Sequence, residues 1–342
     1  MINPKVSVIM PVYNGERYIR EAVESILRQT FTDWQLVIVN DASTDGTEKI
    51  LESLKDNRIK IIKNDRNLGS VVSRNIAFKG CLSEYIAILD ADDIAEPTRL
   101  EEQVAFLDAH PDFGLVGSWT KIIDENGTQI GRIAKDKTPS EQIPIKLLFH
   151  NVLAFSSVTM RKSAMPPIPF DDENVPTEDV ALYLKMLPHS KFATLPKVLI
   201  SYRAHSKGIS KIYSAKKREV MDRLITAELK RLGISPSEEE LKIHRTNFGY
   251  SGENVENFLQ SREAWLEKLI NQNRQAKIYP EKLFEKVVAE KWLESCDANA
   301  RLGLETWKIF RRSPLSKIPH LQGNWKKFLK FFIKCLLAKD KI

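Results

Sequence analysis

The chain runs to 342 residues yet contains only three cysteines, Cys81, Cys296 and Cys335. They are far apart, odd in number and without zinc-like spacing, which excludes a disulfide framework and favours a reduced, cytosolic compartment. Long apolar runs are also missing. Val6 to Met10 is too short for a signal peptide, and no segment reaches the ~20 apolar residues of a spanning helix, so neither secretion nor membrane crossing is expected. There is no internal repeat and no low-complexity tract.

The remaining composition is that of a soluble globular protein, with 42% hydrophobic and 28% charged residues. At this length one main domain plus a smaller unit is expected. A formal net charge of +7 suits phosphate-bearing substrates or an anionic membrane surface as well as nucleic acid, and no nucleic-acid partner is expected.

The pattern centres on Tyr85 to Asp93 (YIAILDADD), an apolar run ending in three carboxylates. The run reads as a strand buried on both faces of a parallel sheet, which puts Asp90 at its carboxyl end, where ligands of open α/β sheets collect. Asp90, Asp92 and Asp93 repel one another unless something positive sits among them, and hard oxygen ligands suit Mg²⁺ or Mn²⁺. An Asp-rich turn or helix cap accounts for the same letters.

Lys5 to Val12 and Trp34 to Asn40 read as further buried strands, and Ile59 to Ile62 as a short one. Helical spacing follows each, with Asn14 as the expected cap of the first helix. Strand and helix alternating over short connections predict a mostly parallel sheet with helices on both faces. Beyond Asp93 we expect a helix from Pro97 to His110. A strand from Leu115 to Ile123 should then pair with Thr128 to Ile133 across the turn at 124–127. A short helix after Thr177 and a last strand from Phe192 to Tyr202 complete that domain. From Ser214 the pattern is helical almost throughout, including a capped start at Ser235-Pro236-Ser237-Glu238. The expected division is therefore 1–213 and 214–342. In the tail, a helix over 324–338 would gather Trp325, Phe328, Leu329, Phe332 and Leu336 on one face and Lys326, Lys327, Lys330 and Lys334 on the other. Such a helix either lies in a membrane interface or docks on its own domain with its lysines solvated.

Three strands end in polar clusters: Pro11-Val12-Tyr13-Asn14, Asn40-Asp41-Ala42-Ser43 and Asp90-Ala91-Asp92-Asp93. Adjacent parallel strands bring these ends to one rim, and a nucleotide fits there. Tyr13 can stack on a base, Asp41 can accept a base N–H, and Asp90 with Asp92 can hold a metal against a diphosphate. Read singly, Tyr13 is better taken as core and Asn40-Asp41 as a cap of the next helix; their joint occurrence in this order reverses that.

The ordered segments PVYNG (Pro11 to Gly15), VNDASTDGT (Val39 to Thr47), NLGSVVSRN (Asn67 to Asn75), LDADD (Leu89 to Asp93) and TEDVAL (Thr177 to Leu182) together resemble the inverting glycosyltransferases of family 2. The likeness covers about residues 5 to 210. It implies a glycosyltransferase A-type fold and a UDP-sugar donor held at Pro11, Val12, Tyr13, Asp41, Arg74, Asp90 and Ala91. It implies a divalent metal at Asp92 and a general base at Asp179, with Glu178 beside it. Tyr202-Arg203-Ala204-His205, continuing to Ser210, resembles the family loop over the diphosphate, so Arg203 and His205 are expected near phosphate or metal. Two departures stand out: Ser73 replaces the commoner alanine before Arg74, and Ala154-Phe155 precede Ser156-Ser157 where relatives often carry a histidine.

The implied chemistry is inversion, with one base removing the acceptor hydroxyl proton as that oxygen attacks the anomeric carbon. The expected acceptor is a glycan or lipid-linked intermediate of surface polysaccharide synthesis, at the inner face of the cell membrane. Three rivals share part of the pattern. A haloacid-dehalogenase phosphatase would want Thr or Val where Ile94 stands, and a nucleotidyltransferase would want a glycine-rich, lysine-bearing loop after Val12. A degenerate sugar-nucleotide-binding subunit is disfavoured by the intact acids at Asp41, Asp90, Asp92 and Asp179.

Overall fold

The computed structural model describes residues 3–205, 214–246, 254–318 and 325–338. The expected boundary at Tyr213, the loop residues 206–210 and Asn324 lie outside the described residues. The chain separates into two compact units, Met1–Pro144 with Asn151–Met221, and Ile145–His150 with Asp222–Ile342.

The first unit is built on an eight-stranded sheet in the order β3-β2-β1-β4-β7-β6-β8-β5. The strands are β1 (Val6–Val12), β2 (Trp34–Asn40), β3 (Ile59–Lys63), β4 (Tyr85–Ile88), β5 (Ile94–Ala95), β6 (Phe113–Ile123), β7 (Thr159–Arg161) and β8 (Lys191–Arg203). Only β5 and β7 oppose the common direction, so the sheet is mostly parallel. Every residue of β1 is buried, and alternation along the strand shows why. Val6, Val8, Met10 and Val12 pack with Ile19, Val23 and Ile26 of α1 (Ile19–Leu27) and Leu100, Val104 and Leu107 of α4 (Arg99–Ala109). Ile9 turns to the other face, where α3 (Ser70–Lys79) lies over β1 and β2; the short helices α2 (Thr47–Glu52) and α5 (Ile143–Lys146) lie between the strands in sequence.

Local chemistry moves some expected boundaries. The first helix begins at Ile19 behind Tyr18, not at an Asn14 cap, because Asn14 is in the left-handed region (φ 52) and its side chain is used elsewhere. The turn at 124–127 forms, with Asp124 N donating to Thr128 O at 2.8 Å. Its return segment makes only isolated bridges, Ile123 to Gln129 and Thr120 to Ala134. Gly131, also left-handed (φ 67), bends the segment between them, and β6 finds its long partner in β8 instead. That pairing shifts register at three places, and at one of them β8 passes from Leu195 to Val198 over Pro196, which has no N–H to give the ladder.

The division between units falls within α7 (Ser214–Arg231). The helical unit continues with α8 (Glu238–Arg245), α9 (Val255–Ala276), α10 (Glu281–Ala298), α11 (Leu304–Arg312) and α12 (Trp325–Leu337). The cap of α8 is Ser237 rather than Ser235: its Oγ accepts from Glu240 N while Glu240 reaches back to Ser237 N at 2.9 Å. That frame sets Glu238, Glu239 and Glu240 in the first turn, against the helix dipole. Arg262, fully buried, donates to the carbonyls of Ile243 and His244 and so closes the other end of α8. Among the described residues no helix is long and apolar enough to cross a membrane.

Candidate active site

The loops after β1 and β2 are laced together. Asp41 N donates to Val12 O at 2.8 Å, Thr44 N to Asn14 Oδ1 at 2.8 Å and Gly15 N to Thr47 Oγ1 at 2.9 Å. A Cβ on Gly15 would lie 2.5 Å from Val12 Cγ2, so only glycine fits under that loop. Ala42 sits at φ 57, a conformation that costs a non-glycine residue on the order of 1 kcal/mol and that clusters at functional sites. Pro11 and Val12 are buried wall, whereas Tyr13 is 50% exposed and not core.

Asp41 is buried, but not as a cap of the next helix. Its Oδ1 accepts from Asn64 Nδ2 and Leu68 N, and its Oδ2 from Gly69 N. The same Asn64 amide donates to Ser73 Oγ at 3.0 Å. The serine that departs from the family pattern thus joins Asp41 to the turn of α3 that carries Arg74.

The three carboxylates after β4 are separated by giving each its own partner. Asp90 Oδ1 takes Arg74 Nη2 at 2.7 Å and its Oδ2 takes Ser156 Oγ at 3.1 Å. Asp92 Oδ2 lies 2.8 Å from His205 Nε2. Asp93 is fully buried and accepts Arg203 N; burial first, then Asp92 and Asp90, push its carboxyl well above the usual range. Ala91 is partly buried between them, packed on the core.

Arg74 is itself buried and bridges two elements, its Nη1 donating to Glu178 Oε1 at 2.7 Å. Its guanidinium lies 4.9 Å from the centre of the Phe155 ring, so the second departure supplies both Phe155 and Ser156 to this group. Glu178 and Asp179 open α6 (Glu178–Met186). Thr177 holds the cap position, although its hydroxyl donates back to Asn174 O. Asp179 is half-buried, and burial followed by repulsion from Glu178 pushes its carboxyl up to about 6. Its Oδ2 accepts from Asn151 Nδ2 at 2.7 Å.

Arg203 differs from the expectation of a phosphate contact. It is 3% exposed, and its guanidinium donates to Glu21, to the Asp92 carbonyl and to the carbonyls of Asp124 and Glu125 over the Tyr18 ring. Its donors are committed to holding the Asp92 loop.

Hydrogen bonds therefore run from Val12 through Asp41 and Asn64 to Ser73, and from its chain neighbour Arg74 on to Asp90 and Glu178, beside Asp179. Asn64, Asn151, Tyr18 and Glu21 join the site without any signal in the sequence. Each belongs to no motif and is found only through its partner. Among the described residues no group of three His, Cys, Asp or Glu side chains is arranged around a metal position. Asp92 and His205 still fit as two ligands, one carboxylate oxygen and one imidazole nitrogen, of a divalent ion that takes its other ligands from phosphate oxygens and water.

Comparison with known proteins agrees with this architecture. The family model described as Glycosyl transferase family 2 matches residues 7–165. An uncharacterized glycosyltransferase of Methanocaldococcus jannaschii is 35% identical over 208 residues, which is 59% of this chain and 72% of that protein. The UDP-Glc:alpha-D-GlcNAc-diphosphoundecaprenol beta-1,3-glucosyltransferase WfgD of Escherichia coli is 31% identical over 208 residues, 60% of this chain and 79% of that one. S. aureus TarS 1-349 in complex with UDP-GlcNAc superposes with a TM-score of 0.56 over 97% of this chain and 90% of that one, at 20% identity, a likeness of fold. The fold of this chain is thus a mostly parallel α/β sheet of glycosyltransferase A type with a helical region after it, and the chain belongs to glycosyltransferase family 2.

Proposed function

We propose that this glycosyltransferase moves one sugar, with inversion, from a UDP-sugar to a hydroxyl of a glycan or lipid-linked acceptor in surface polysaccharide synthesis. The observation that carries the proposal is Asp179. A carboxylate held near pH 6 is ionised at neutral pH yet more basic than an ordinary aspartate, as a general base must be. It receives the acceptor proton as the hydroxyl oxygen attacks the anomeric carbon and the C–O bond to the diphosphate breaks. Tyr13, exposed at the rim, offers a face to the uracil ring, and Asp41 stiffens the loop beneath it. Arg74 acts as a positioning residue: with both its ends on acids, it ties the α6 turn carrying Asp179 to the loop carrying Asp90. Arg203 does the same for Asp92. A bound Mg²⁺ or Mn²⁺ at Asp92 and His205 would offset charge on the departing diphosphate. The UDP-GlcNAc complex of the TarS neighbour and the diphosphoundecaprenol acceptor in the name of the WfgD relative support the donor and acceptor classes.

The test is Asp179→Asn, compared with wild type in a thermal-shift screen of nucleotide sugars with and without Mn²⁺, followed by transfer assays. Nucleotide binding should persist while transfer falls by about 10²-fold or more. Near-normal transfer removes Asp179 as the base. Absence of any nucleotide-dependent shift in the wild type removes the donor assignment.

We further propose that α12 makes a peripheral membrane contact. Leu329, Ile333, Leu336 and Leu337 are exposed there, beside the exposed Lys327 and Lys330, the composition of a helix that binds anionic lipid.

A further inference from the structure

A cleft of about 460 Å³ lies in the catalytic unit, walled by Ser118 and Thr120 of β6, Lys135 and Asp136 of the returning segment, and Asn151 with Leu153. Asn151 joins this cleft to the candidate base. Leu153 N donates to Asn151 Oδ1 at 2.9 Å, which fixes the amide so that its NH₂ group faces Asp179, at 2.7 Å from Oδ2. An NH₂ group has two hydrogens, and the second has no partner among the described residues. Lys135 forms no ion pair among the described residues; its ammonium lies 5.2 Å from the centre of the Trp119 ring, and Trp119 is fixed by donating Nε1–H to Asp136 O. The residues that line the cleft thus carry an ammonium, a carboxylate, two hydroxyls and an amide beside the apolar Ala134, Val152, Leu153 and Ala154. This mixture of paired donors and acceptors with some apolar wall matches a pyranose, and its size is at the small end of ligand pockets. A hollow of similar size beside Asn273 and Tyr279 in the helical unit has none of this connection to an acid of the site.

We propose that this cleft is the acceptor subsite and takes one sugar ring of the acceptor glycan, with Asn151 as the positioning residue that presents both Asp179 and the incoming hydroxyl. The inference rests on the transferase function proposed above and adds where the acceptor binds and what part of it is recognised. Asn151 holds Asp179 by one N–H and is free to donate the other to a sugar oxygen. An acceptor hydroxyl bound against Asn151 is then a neighbour of the base by construction.

The experiment follows backbone amides of the full chain by NMR. One titration uses UDP, and others use D-glucose, D-galactose, N-acetylglucosamine and L-rhamnose at concentrations well above a millimolar dissociation constant, a strength ordinary for single-ring ligands. At least one sugar should shift Thr120, Lys135 and Asn151, while UDP shifts Tyr13 and Asp41. Ala134→Trp, at an exposed position lining the cleft, should weaken the sugar at least tenfold and leave UDP unchanged. Lys135→Ala should weaken it about fivefold, the loss of one hydrogen bond. Sugars that leave Thr120, Lys135 and Asn151 unmoved overturn the inference, as do sugars that bind Ala134→Trp as well as wild type. Failure of UDP to shift Tyr13 or Asp41 counts instead against the proposed function, and the sugar titrations are read separately from it.

Discussion

Asp179 and Arg74 place opposite demands on the catalytic unit. Asp179 has its folded pKa raised to about 6 from an ordinary value near 4. The protonated form is thus favoured by the fold: stability is full below about pH 4 and is lost as pH rises through 6. At neutral pH the ionised base costs on the order of 2 kcal/mol, the usual trade of stability for a poised group. Asp179→Asn should therefore be inactive and also more stable than wild type at pH 7.5, with the difference vanishing near pH 4 in denaturant titrations. In the wild type, kcat/KM should fall on the acid side with an apparent pKa near 6. A flat profile between pH 5 and 7 would contradict the assignment. Arg74 behaves the other way. Removing it by Arg74→Met leaves Glu178 buried and unpaired and Asp90 without its cation, which should cost about 3 kcal/mol of stability. Arg74→Lys keeps the charge but cannot span both acids and should fall between.

Single elements show which parts of the sequence were legible. The Tyr85 to Asp93 run and the α6 start carry strong local signals, an apolar strand ending in acids and an acidic first turn, and both fold where those signals put them. The Asn151 amide, the Asn64 bridge and the inward turn of Arg203 are set by partners far along the chain, and no local pattern encodes them. Helix α12 is the sharpest instance. Nine of its thirteen residues, WKKFLKFFIKCLL, are apolar, so periodicity alone does not choose its buried face. Trp307 and Phe310 of α11 choose it, meeting Phe328, Phe331 and Phe332 at ring separations of 4.9 to 5.6 Å. Phe331 and Cys335 are buried, while Leu329 and Leu336, expected beside Phe328, are exposed. Docking and an outward apolar strip thus coexist on one helix. The two can be separated by mutation. Phe331→Ala should destabilise the helical unit by about 3 kcal/mol. Leu329→Ser with Leu336→Ser should leave its melting unchanged and lower cosedimentation with anionic vesicles by about tenfold. Equal vesicle binding by the serine variant would end the membrane proposal.

At the scale of the whole chain, one buried histidine sets a limit that the catalytic residues do not. His244 is 1% exposed and stacks on Phe149 at 4.9 Å. Trp265 Nε1–H donates to its Nδ1 at 3.0 Å, so Nε2 carries the proton and donates to Leu148 O at 2.7 Å. Both ring nitrogens are satisfied only in the neutral form. The charged groups facing it, Arg262, Arg245 and Lys291, are all cationic, and burial with their repulsion depresses its pKa to about 3. The unfolded chain takes up that proton near pH 6.5 and the folded chain does not. Stability of the helical unit is therefore complete above about pH 6.5 and is lost as pH falls toward 3, by up to about 1.4 kcal/mol per pH unit. This is the reverse of the Asp179 dependence, so a single melting temperature for the chain would blend the two. A pair of urea titrations at pH 7.5 and 5.0 on wild type and His244→Gln separates them. Wild type should lose about 2 kcal/mol more than the glutamine variant over that interval, because glutamine takes up no proton while its amide can still donate to Leu148 O. Equal losses in both proteins would show that His244 is already protonated, or exposed, in the native helical unit.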